Sequence, residues 1–321
     1  MQDLDRKDKI PTLFIVVPCY NEEEVLFEAA SRLSAILTNL MESRGISNDS
    51  RVMFVDDGSK DKTWMLISEL SERSPHYKGL KLAKNVGHQN ALLAGLHFAK
   101  DYCDIAISID ADLQDDVEAI SEFIEKYHEG YDVVYGVRNN RDTDTYFKKM
   151  TAQGFYKIMS KMGVDLVYNH ADYRLMSKRV LEELTNFTET NLFIRGIVPL
   201  IGFKSTEVYY KRHERFAGIS KYPLKKMVGF AMNGVTSFSV TPIRFVSFIG
   251  FLVFLTSILA AMYTLYAKIT GQTVSGWASL MVSIWFLGGI QLMSLGLIGE
   301  YIGKIYKESK RRPKYIVEKT V

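Results

Sequence analysis

"IAISIDADLQDD", residues 105–116, is an apolar run that ends in four carboxylates: Asp110, Asp112, Asp115 and Asp116. Like charges this close repel, and a segment that only built a sheet would not collect them at one end. They call for a cation. Two carboxylates two residues apart suit magnesium or manganese, hard ions that keep several waters and often bind one or two carboxylates plus substrate phosphates. Asp110 and Asp112 are the expected ligands, and Gln114 is placed to join them from the following turn. Taken alone, a D-x-D pair also fits a turn that caps a helix, so its neighbours decide.

The neighbours repeat the theme. Apolar runs at Leu13–Val17, Val52–Val55, Leu80–Ala83, Ile105–Ile109 and Val133–Val137 alternate with amphipathic stretches at 22–43, 61–73, 88–100 and 116–128. Alternation of this kind predicts an α/β fold, a parallel sheet with helices on both faces. Ligands of such sheets lie at the carboxyl ends of the strands. Polar clusters stand there after all five runs: "PCYNEEE", "DDGSKD", "KNVGHQN", "DADLQDD" and "RNNR". "VDDGS" (Val55–Ser59) puts Asp57 where a carboxylate can accept hydrogen bonds from a base or ribose. No G-x-G-x-x-G follows the first strand, so the expected ligand is a nucleotide held by side chains and a metal. Beyond residue 140 a helix is expected at 144–162, with short strands at Tyr173–Met176 and Thr206–Tyr210.

Two later segments change the class. Phe245–Ala267 and Trp277–Gly299 are each 23 residues without a charge. A helix of that length reaches about 35 Å and can cross a hydrocarbon core of about 30 Å. Between them, "KITGQTVSG" holds one lysine; Lys225, Lys226 and Arg244 precede the pair. From Tyr301 onward seven Lys/Arg face two Glu, so this stretch carries +5 of a net +3 and the rest comes to about −2. The positive-inside rule puts both ends in the cytoplasm with a short outer loop. A basic end on an otherwise balanced protein suggests anionic lipid, not nucleic acid. Leu224, Met227, Val228, Ala231, Val235 and Phe238 recur at helical spacing, which predicts an amphipathic helix at the membrane interface. Cys19 and Cys103 give neither a disulfide framework nor metal-ligand spacing. No apolar segment precedes Leu13, so no signal peptide is expected.

"PCYNE", "DDGSKDKT", "KNVGHQNA", "DADLQD", "GVRNNR", "DYRLMSKRV" and "RHERFAGISKYPLKKM", in this order and followed by two spans, resemble the family 2 glycosyltransferases with a GT-A fold. More narrowly, they resemble the polyprenyl-phosphate glycosyltransferases, among them bactoprenol glucosyltransferase and, more distantly, dolichyl-phosphate mannose synthase. The likeness covers nearly the whole chain. It implies a GT-A domain over 1–218, an interfacial helix over 219–242, a two-helix transmembrane hairpin over 243–302 and a basic tail over 303–321.

The resemblance also implies roles. Pro18, Tyr20, Glu22, Asp57 and Asp110 contact a uridine nucleotide-sugar. Asp110, Asp112 and Gln114 hold Mg2+ or Mn2+. Asp112 and Asp172 stand at the reacting centre, and Arg138, Arg141, Arg212, Arg215 and Lys221 bind the phosphate of a polyprenyl acceptor, since guanidinium forks suit phosphate. A phosphate monoester is largely ionised near neutral pH, so Asp172 is expected to orient more than to take a proton. The family commonly has Asp-Pro-Pro after its acidic motif. Here Asp115-Asp116-Val117 stands instead, which predicts a looser loop and an extra carboxylate near the metal.

The expected reaction is inverting transfer of glucose or N-acetylglucosamine from a UDP-sugar to undecaprenyl phosphate, at the cell membrane, with the catalytic domain and both termini cytoplasmic. The resemblance leaves a homotetramer open. A processive polysaccharide synthase would carry Gln-x-x-Arg-Trp, and none of Trp64, Trp277 and Trp285 follows an arginine. A non-catalytic membrane partner on the same fold would have lost the metal ligands, which are present.

Overall fold

The structure is a computed structural model that describes residues 9–139, 170–189, 194–212, 241–270 and 276–321. The chain divides into two compact units. One holds the described residues up to 212 together with 313–321; the other holds 241–270 and 276–312. The expected helix at 144–162 and nearly all of the interfacial helix at 219–242 lie outside the described residues.

The first unit is an α/β layer. Its chain runs β1 (Leu13–Cys19), α1 (Leu26–Glu42), β2 (Arg51–Asp56), α2 (Thr63–Arg73), β3 (Tyr77–Leu82), α3 (His88–Ala99), β4 (Ile105–Ser108), α4 (Ala119–His128) and β5 (Val133–Arg138). It continues through β6 (His170–Ser177), α5 (Lys178–Leu184), α6 (Ile194–Leu200) and β7 (Ser205–Tyr210). Central strands β1 and β4 are buried at every position, so they are apolar but for the terminal Ser108 of β4 and do not alternate. α1 buries Leu26, Ala29, Ala30, Leu33, Ile36, Leu37 and Leu40, the stripe of a helix lying on a sheet. α3 lies so close to the sheet that a Cβ on Gly95 would come within 2.4 Å of Val16 Cγ1 and 2.7 Å of Val55 Cγ2. Glycine there lets α3 dock, and its first residue is thereby delivered to the strand ends.

With β8 (Val317–Thr320) at one edge, the strand order is β7-β5-β6-β4-β1-β2-β3-β8. β4, β1, β2 and β3 are mutually parallel, as the alternation predicts. β6, however, runs antiparallel to both β4 and β5 and lies between them. A purely parallel sheet of five successive strands is thus corrected to a mixed one. The strand that carries Asp172 is inserted beside the strand that leads to Asp110.

The second unit contains α7 (Thr241–Ile269) and α8 (Trp277–Ser309). Ile243–Ala260 and Phe286–Ser309 are long and apolar enough to cross a membrane, and among the described residues neither window is buried in protein. α8 runs through Tyr301 to Ser309, further than the apolar run that announces it.

Residues 303–321, read as a basic tail, end in structure. Val317–Thr320 form β8, antiparallel to β3, with Leu80 opposite Thr320 and Lys81 opposite Lys319. Gly79 and Val321 exchange N–H···O=C bonds of 2.9 Å, and Ala83 N–H donates to Ile316 C=O at 2.9 Å. Lys81 pairs with Glu318 at 3.0 Å, and Lys314 donates to Phe187 C=O at 2.9 Å. Tyr315 Oη lies 2.8 Å from His97 Nδ1.

The last contact carries a pH dependence. Burial, chiefly, with Lys314 and Lys100 adding, pulls the His97 imidazole down to about 4. The folded state thus favours neutral His97 and the unfolded chain, at about 6.5, does not. Its stabilisation is present above pH 6.5 and is lost as pH falls toward 4. Amide exchange at 316–320, corrected for intrinsic rates, should accelerate over that range. His97→Gln, which stays neutral, should flatten the dependence.

Candidate active site

The carboxyl ends of β1, β2, β3 and β4 meet where the sequence concentrates its polar residues. The loops after β1 and β2 are laced together. Asn21 N–H donates to Ser59 Oγ at 3.0 Å, Glu22 N–H to Thr63 Oγ1 at 2.9 Å, and Lys60 N–H to Asn21 Oδ1 at 2.8 Å. Pro18 is buried within β1 and Tyr20 is exposed just beyond it.

Asp57, expected to face a nucleotide, is buried and does something else as well. Its Oδ1 accepts from Val86 N–H at 2.7 Å and its Oδ2 from Gly87 N–H at 2.9 Å. Burial pushes its carboxyl up, and these two bonds oppose the rise. Gly58 follows at φ +65°, where a Cβ would stand 2.7 Å from the Asn85 nitrogen. The left-handed backbone and the missing side chain let the two loops touch. Asp57 therefore holds the β3–α3 loop, and that loop presents His88.

His88 Nε2 lies 3.4 Å from Asp110 Oδ1 and 3.7 Å from Asp172 Oδ2. Burial pulls the imidazole down, but the two carboxylates outweigh it and raise it to about 9. Burial also pushes the Asp110 carboxyl up to about 6, against the pull of His88; Asp115, Asp172 and Asp112 add to the rise. Asp110 Oδ1 is a buried oxygen without a hydrogen-bond partner. Asp112 Oδ1 accepts from Gln114 N–H at 3.2 Å, across a turn in which Leu113 takes φ 56°.

Among the described residues no group of three or more His, Cys, Asp or Glu side chains is arranged to hold a metal ion. The donors that do stand here are carboxylate oxygens, the chemistry that Mg2+ and Mn2+ accept, in a shell that a diphosphate would have to complete. The Asp110 oxygen that accepts no hydrogen bond fits such an ion. Gln114 differs from expectation: its Oε1 accepts from Arg212 Nη2, so it meets a cation of the chain.

The extra carboxylate of the departure is Asp116, whose Oδ1 accepts from Glu118 N–H at 3.1 Å in the turn that leads into α4. Asp115 is buried, and its Oδ1 accepts from Tyr210 Oη at 2.5 Å and from Arg138 Nη2 at 3.1 Å. Tyr173 Oη donates to Asp116 C=O at 2.9 Å, so the turn is tied down, not loose. Arg138, expected at the acceptor phosphate, is instead bound to Asp115 and, through Nε, to Tyr210 Oη at 3.3 Å. Arg141, Arg215 and Lys221 lie outside the described residues.

Asp172 is the most heavily engaged of the expected residues. Its C=O accepts from Ser108 Oγ at 2.6 Å, which fixes β6 beside β4. Its Oδ1 accepts from Arg174 Nη2 at 2.6 Å and from Arg195 Nε at 3.0 Å, and its Oδ2 from Arg195 Nη2 at 2.9 Å. Burial alone would raise this carboxyl; Arg195, His88 and Arg174 hold it well below the usual carboxylate range. A carboxylate so stabilised is a poor proton acceptor near neutral pH.

His88 and Arg195 carry no role in the sequence reading. His88 was in view inside "KNVGHQN", but only the packing of α3 brings it to Asp110. Arg195 is a lone cation in the apolar "FIRGIV", a signal that is visible but ambiguous.

The loop-holding role of Asp57 predicts a measurable cost. Asp57→Ala leaves two N–H groups without their acceptor, about 2 kcal/mol or more in total. The melting temperature should fall by roughly 4–8 °C for a domain of this size. Asp57→Asn, which keeps one acceptor oxygen, should lose less in the same melting experiment.

Residues 14–185 match a glycosyl transferase family 2 model, and residues 241–305 match the GtrB C-terminal hairpin. The chain is 60% identical to the uncharacterized glycosyltransferase YkoT of Bacillus subtilis, covering 97% of this chain and 93% of that protein. It is 40% identical to the bactoprenol glucosyl transferase of Shigella phage SfV, covering 95% and 97%. A solved mannosyltransferase from Pyrobaculum calidifontis, in complex with GDP-Man and Mn2+, is similar at 14% identity and a TM-score of 0.44, covering 94% of this chain and 89% of that one. That likeness is too loose to bear on the chemistry of the site. With more than half its length under the first model and such relatives along nearly all of it, the chain belongs to glycosyl transferase family 2 and is a glycosyltransferase.

Proposed function

We propose that this glycosyltransferase moves a hexose, glucose or N-acetylglucosamine, from a UDP-sugar to undecaprenyl (polyprenyl) phosphate, with inversion at the anomeric carbon. Relatives named bactoprenol glucosyl transferase at about 40% identity over most of the chain support the acceptor. The observation that carries the reading is the contrast between two carboxylates. Asp110 has a buried oxygen that accepts no hydrogen bond and has only the His88 imidazole nearby, at 3.4 Å, while both oxygens of Asp172 accept bonds from arginines. The first suits a metal-bound diphosphate; the second leaves no obvious general base. A phosphate acceptor with second pKa about 6 needs none near neutral pH.

Asp110 and Asp112 would hold Mg2+ or Mn2+, and the ion would stabilise charge on the departing diphosphate. Tyr20, Glu22 and the loop tied to Asp57 would hold the nucleotide. Arg212, beside Gln114, and beyond it Arg215 and Lys221, would meet the acceptor phosphate with forked or point-charge donors. The protein's share is then alignment of an ionised oxygen behind the anomeric carbon.

The C-terminal strand supports a topology. Residues 313–321 belong to the sheet unit, so a chain that leaves that unit into α7 has to come back to the same side. Two crossings satisfy this, with both termini and the enzyme domain cytoplasmic.

Purified protein given undecaprenyl phosphate, Mg2+ and labelled UDP- and GDP-sugars should give lipid-extractable label from a UDP-hexose, with a β-linked product by NMR. An α-linked product or label from GDP-sugars alone counts against the reading. Asp110→Asn and Asp112→Asn should each lower turnover by about a hundredfold or more while the fold persists, an effect equivalent to about 3 kcal/mol. EDTA should act likewise on the unaltered protein, and full activity in EDTA would dismiss the metal. A tag at Gly271–Thr273 should be reachable from outside and a reporter after Val321 only from the cytoplasm.

A further inference from the structure

The acidic turn after β4 is anchored at both ends, and the two anchors differ in kind. Upstream, Ile109 N–H donates to Val16 C=O at 3.1 Å and so prolongs the parallel pairing of β1 with β4. Downstream, the anchor is a side chain. Asp115, only 1% exposed, meets Tyr210 and Arg138 in a closed triangle. Tyr210 Oη donates to Asp115 Oδ1 at 2.5 Å, Arg138 Nη2 donates to the same oxygen at 3.1 Å, and Arg138 Nε donates to Tyr210 Oη at 3.3 Å. Asp110 and Asp112, read above as metal ligands, lie between these anchors with Gln114.

The turn needs such a hold. Leu113 takes φ 56°, a left-handed backbone that costs a leucine free energy, and its side chain is buried. A conformation of this kind persists only where its surroundings over-determine it. The sheet itself does not need the triangle. β5 and β7 are already paired from Val133 with Ser205 to Arg138 with Tyr210, and Asn139 N–H donates to Tyr210 C=O at 2.9 Å. Packing does not need it either. The Tyr210 ring meets Tyr173 edge-on at 5.3 Å, and a Cβ on Gly136 would stand 3.0 Å from an atom of each ring. A phenylalanine would fill that space equally well. The hydroxyl and the buried carboxylate add a directional bond from the strand end to the turn, and such a desolvated pair is a poor source of net stability. Tyr210 is also the last residue of β7, and two residues on Arg212 Nη2 donates to Gln114 Oε1. The end of the strand therefore meets the turn twice.

We propose that Asp115 and Tyr210 are positioning residues of the transfer reaction: through their bond, the end of β7 holds the acidic turn in the shape that binds a divalent cation. This rests on the reading that Asp110 and Asp112 bind Mg2+ or Mn2+ together with the donor diphosphate. Neither Asp115 nor Tyr210 touches a substrate in this scheme. Arg138 closes the triangle and pairs with Asp115, so this carboxylate braces the turn and does not compete for the ion.

The test uses the full-length protein in detergent. Tyr210→Phe keeps the ring and removes the hydroxyl; Asp115→Asn keeps the shape and removes the charge. Mn2+ binding in the presence of UDP, followed by electron paramagnetic resonance, should weaken about fivefold or more in each variant, the scale of one lost hydrogen bond. In transfer from a UDP-hexose to undecaprenyl phosphate, each should need correspondingly more Mg2+ for its half-maximal rate. Saturating Mg2+ should return most of the lost rate. Tyr209→Phe removes a hydroxyl bound to Glu207 on the exposed side of the same strand, and should change neither measurement.

Folded Tyr210→Phe and Asp115→Asn proteins that bind Mn2+ as the unaltered protein does would overturn the proposal. If they also melt at a lower temperature, the triangle serves stability alone. Where one variant fails to fold, the other decides. If the unaltered protein binds Mn2+ with UDP but does not use undecaprenyl phosphate, the acceptor reading falls by itself and Mn2+ binding still judges the two residues. An unaltered protein that binds no Mn2+ sinks the metal reading and this proposal together.

Discussion

The insertion of β6 between β4 and β5 is the constraint on which the site depends. It is held by antiparallel pairing on both sides and by the bond from Ser108 Oγ to the Asp172 carbonyl. The pairing sets Arg174 opposite Ser108 and Asp172 just beyond the end of β4, where the chain turns into Asp110. Without it, Asp172 and the arginines bound to it would not stand beside the acidic end of β4. A buried pair such as Asp172 with Arg174 is a poor source of net stability, because desolvation offsets most of the Coulomb gain. Breaking one partner is nonetheless expensive, about 3–5 kcal/mol. The cluster therefore specifies geometry more than it stabilises the fold.

The electrostatics divide the carboxylates by environment. Asp110 is raised by burial and by its acidic neighbours, and Asp172 is lowered by arginines, although they share His88. Groups pushed apart in this way hold different tasks. Asp115 is a third case: it spends its charge inside the domain on Arg138 and Tyr210, and so ties the acidic turn to β5 and β7. The carboxylate that follows the acidic pair is part of the frame.

The last residues extend the same logic to the opposite edge. β8 covers the outer side of β3, an edge that would otherwise present unpaired N–H and C=O groups. Through Ala83 and Tyr315 it also borders the loop and helix that present His88. The segment after the second apolar helix thus contributes to the frame that carries the β3–α3 loop.

The alternation of apolar runs and amphipathic stretches determined the α/β class and the polar strand ends, because burial on both faces forces β1, and β4 up to Ser108, to be apolar. Charge-free length determined the two long helices. The spacing in "DADLQD" determined the acidic turn, and the two-residue period of a strand already put Asp172 and Arg174 on one face. Those features are local, and periodicity or composition within one segment suffices to read them. What only the tertiary structure decided is who meets whom. Asp57 is bound to the backbone of Val86 and Gly87, Arg138 belongs to Asp115, Gln114 to Arg212, and Arg195 to Asp172. Basic residues late in the chain read as lipid-facing charge, yet the final four residues of β8 complete a sheet. The physical reason is the same in each case: a charged side chain has no intrinsic partner, and its pairing is set by strand order and helix docking, which bring together residues tens to hundreds of positions apart.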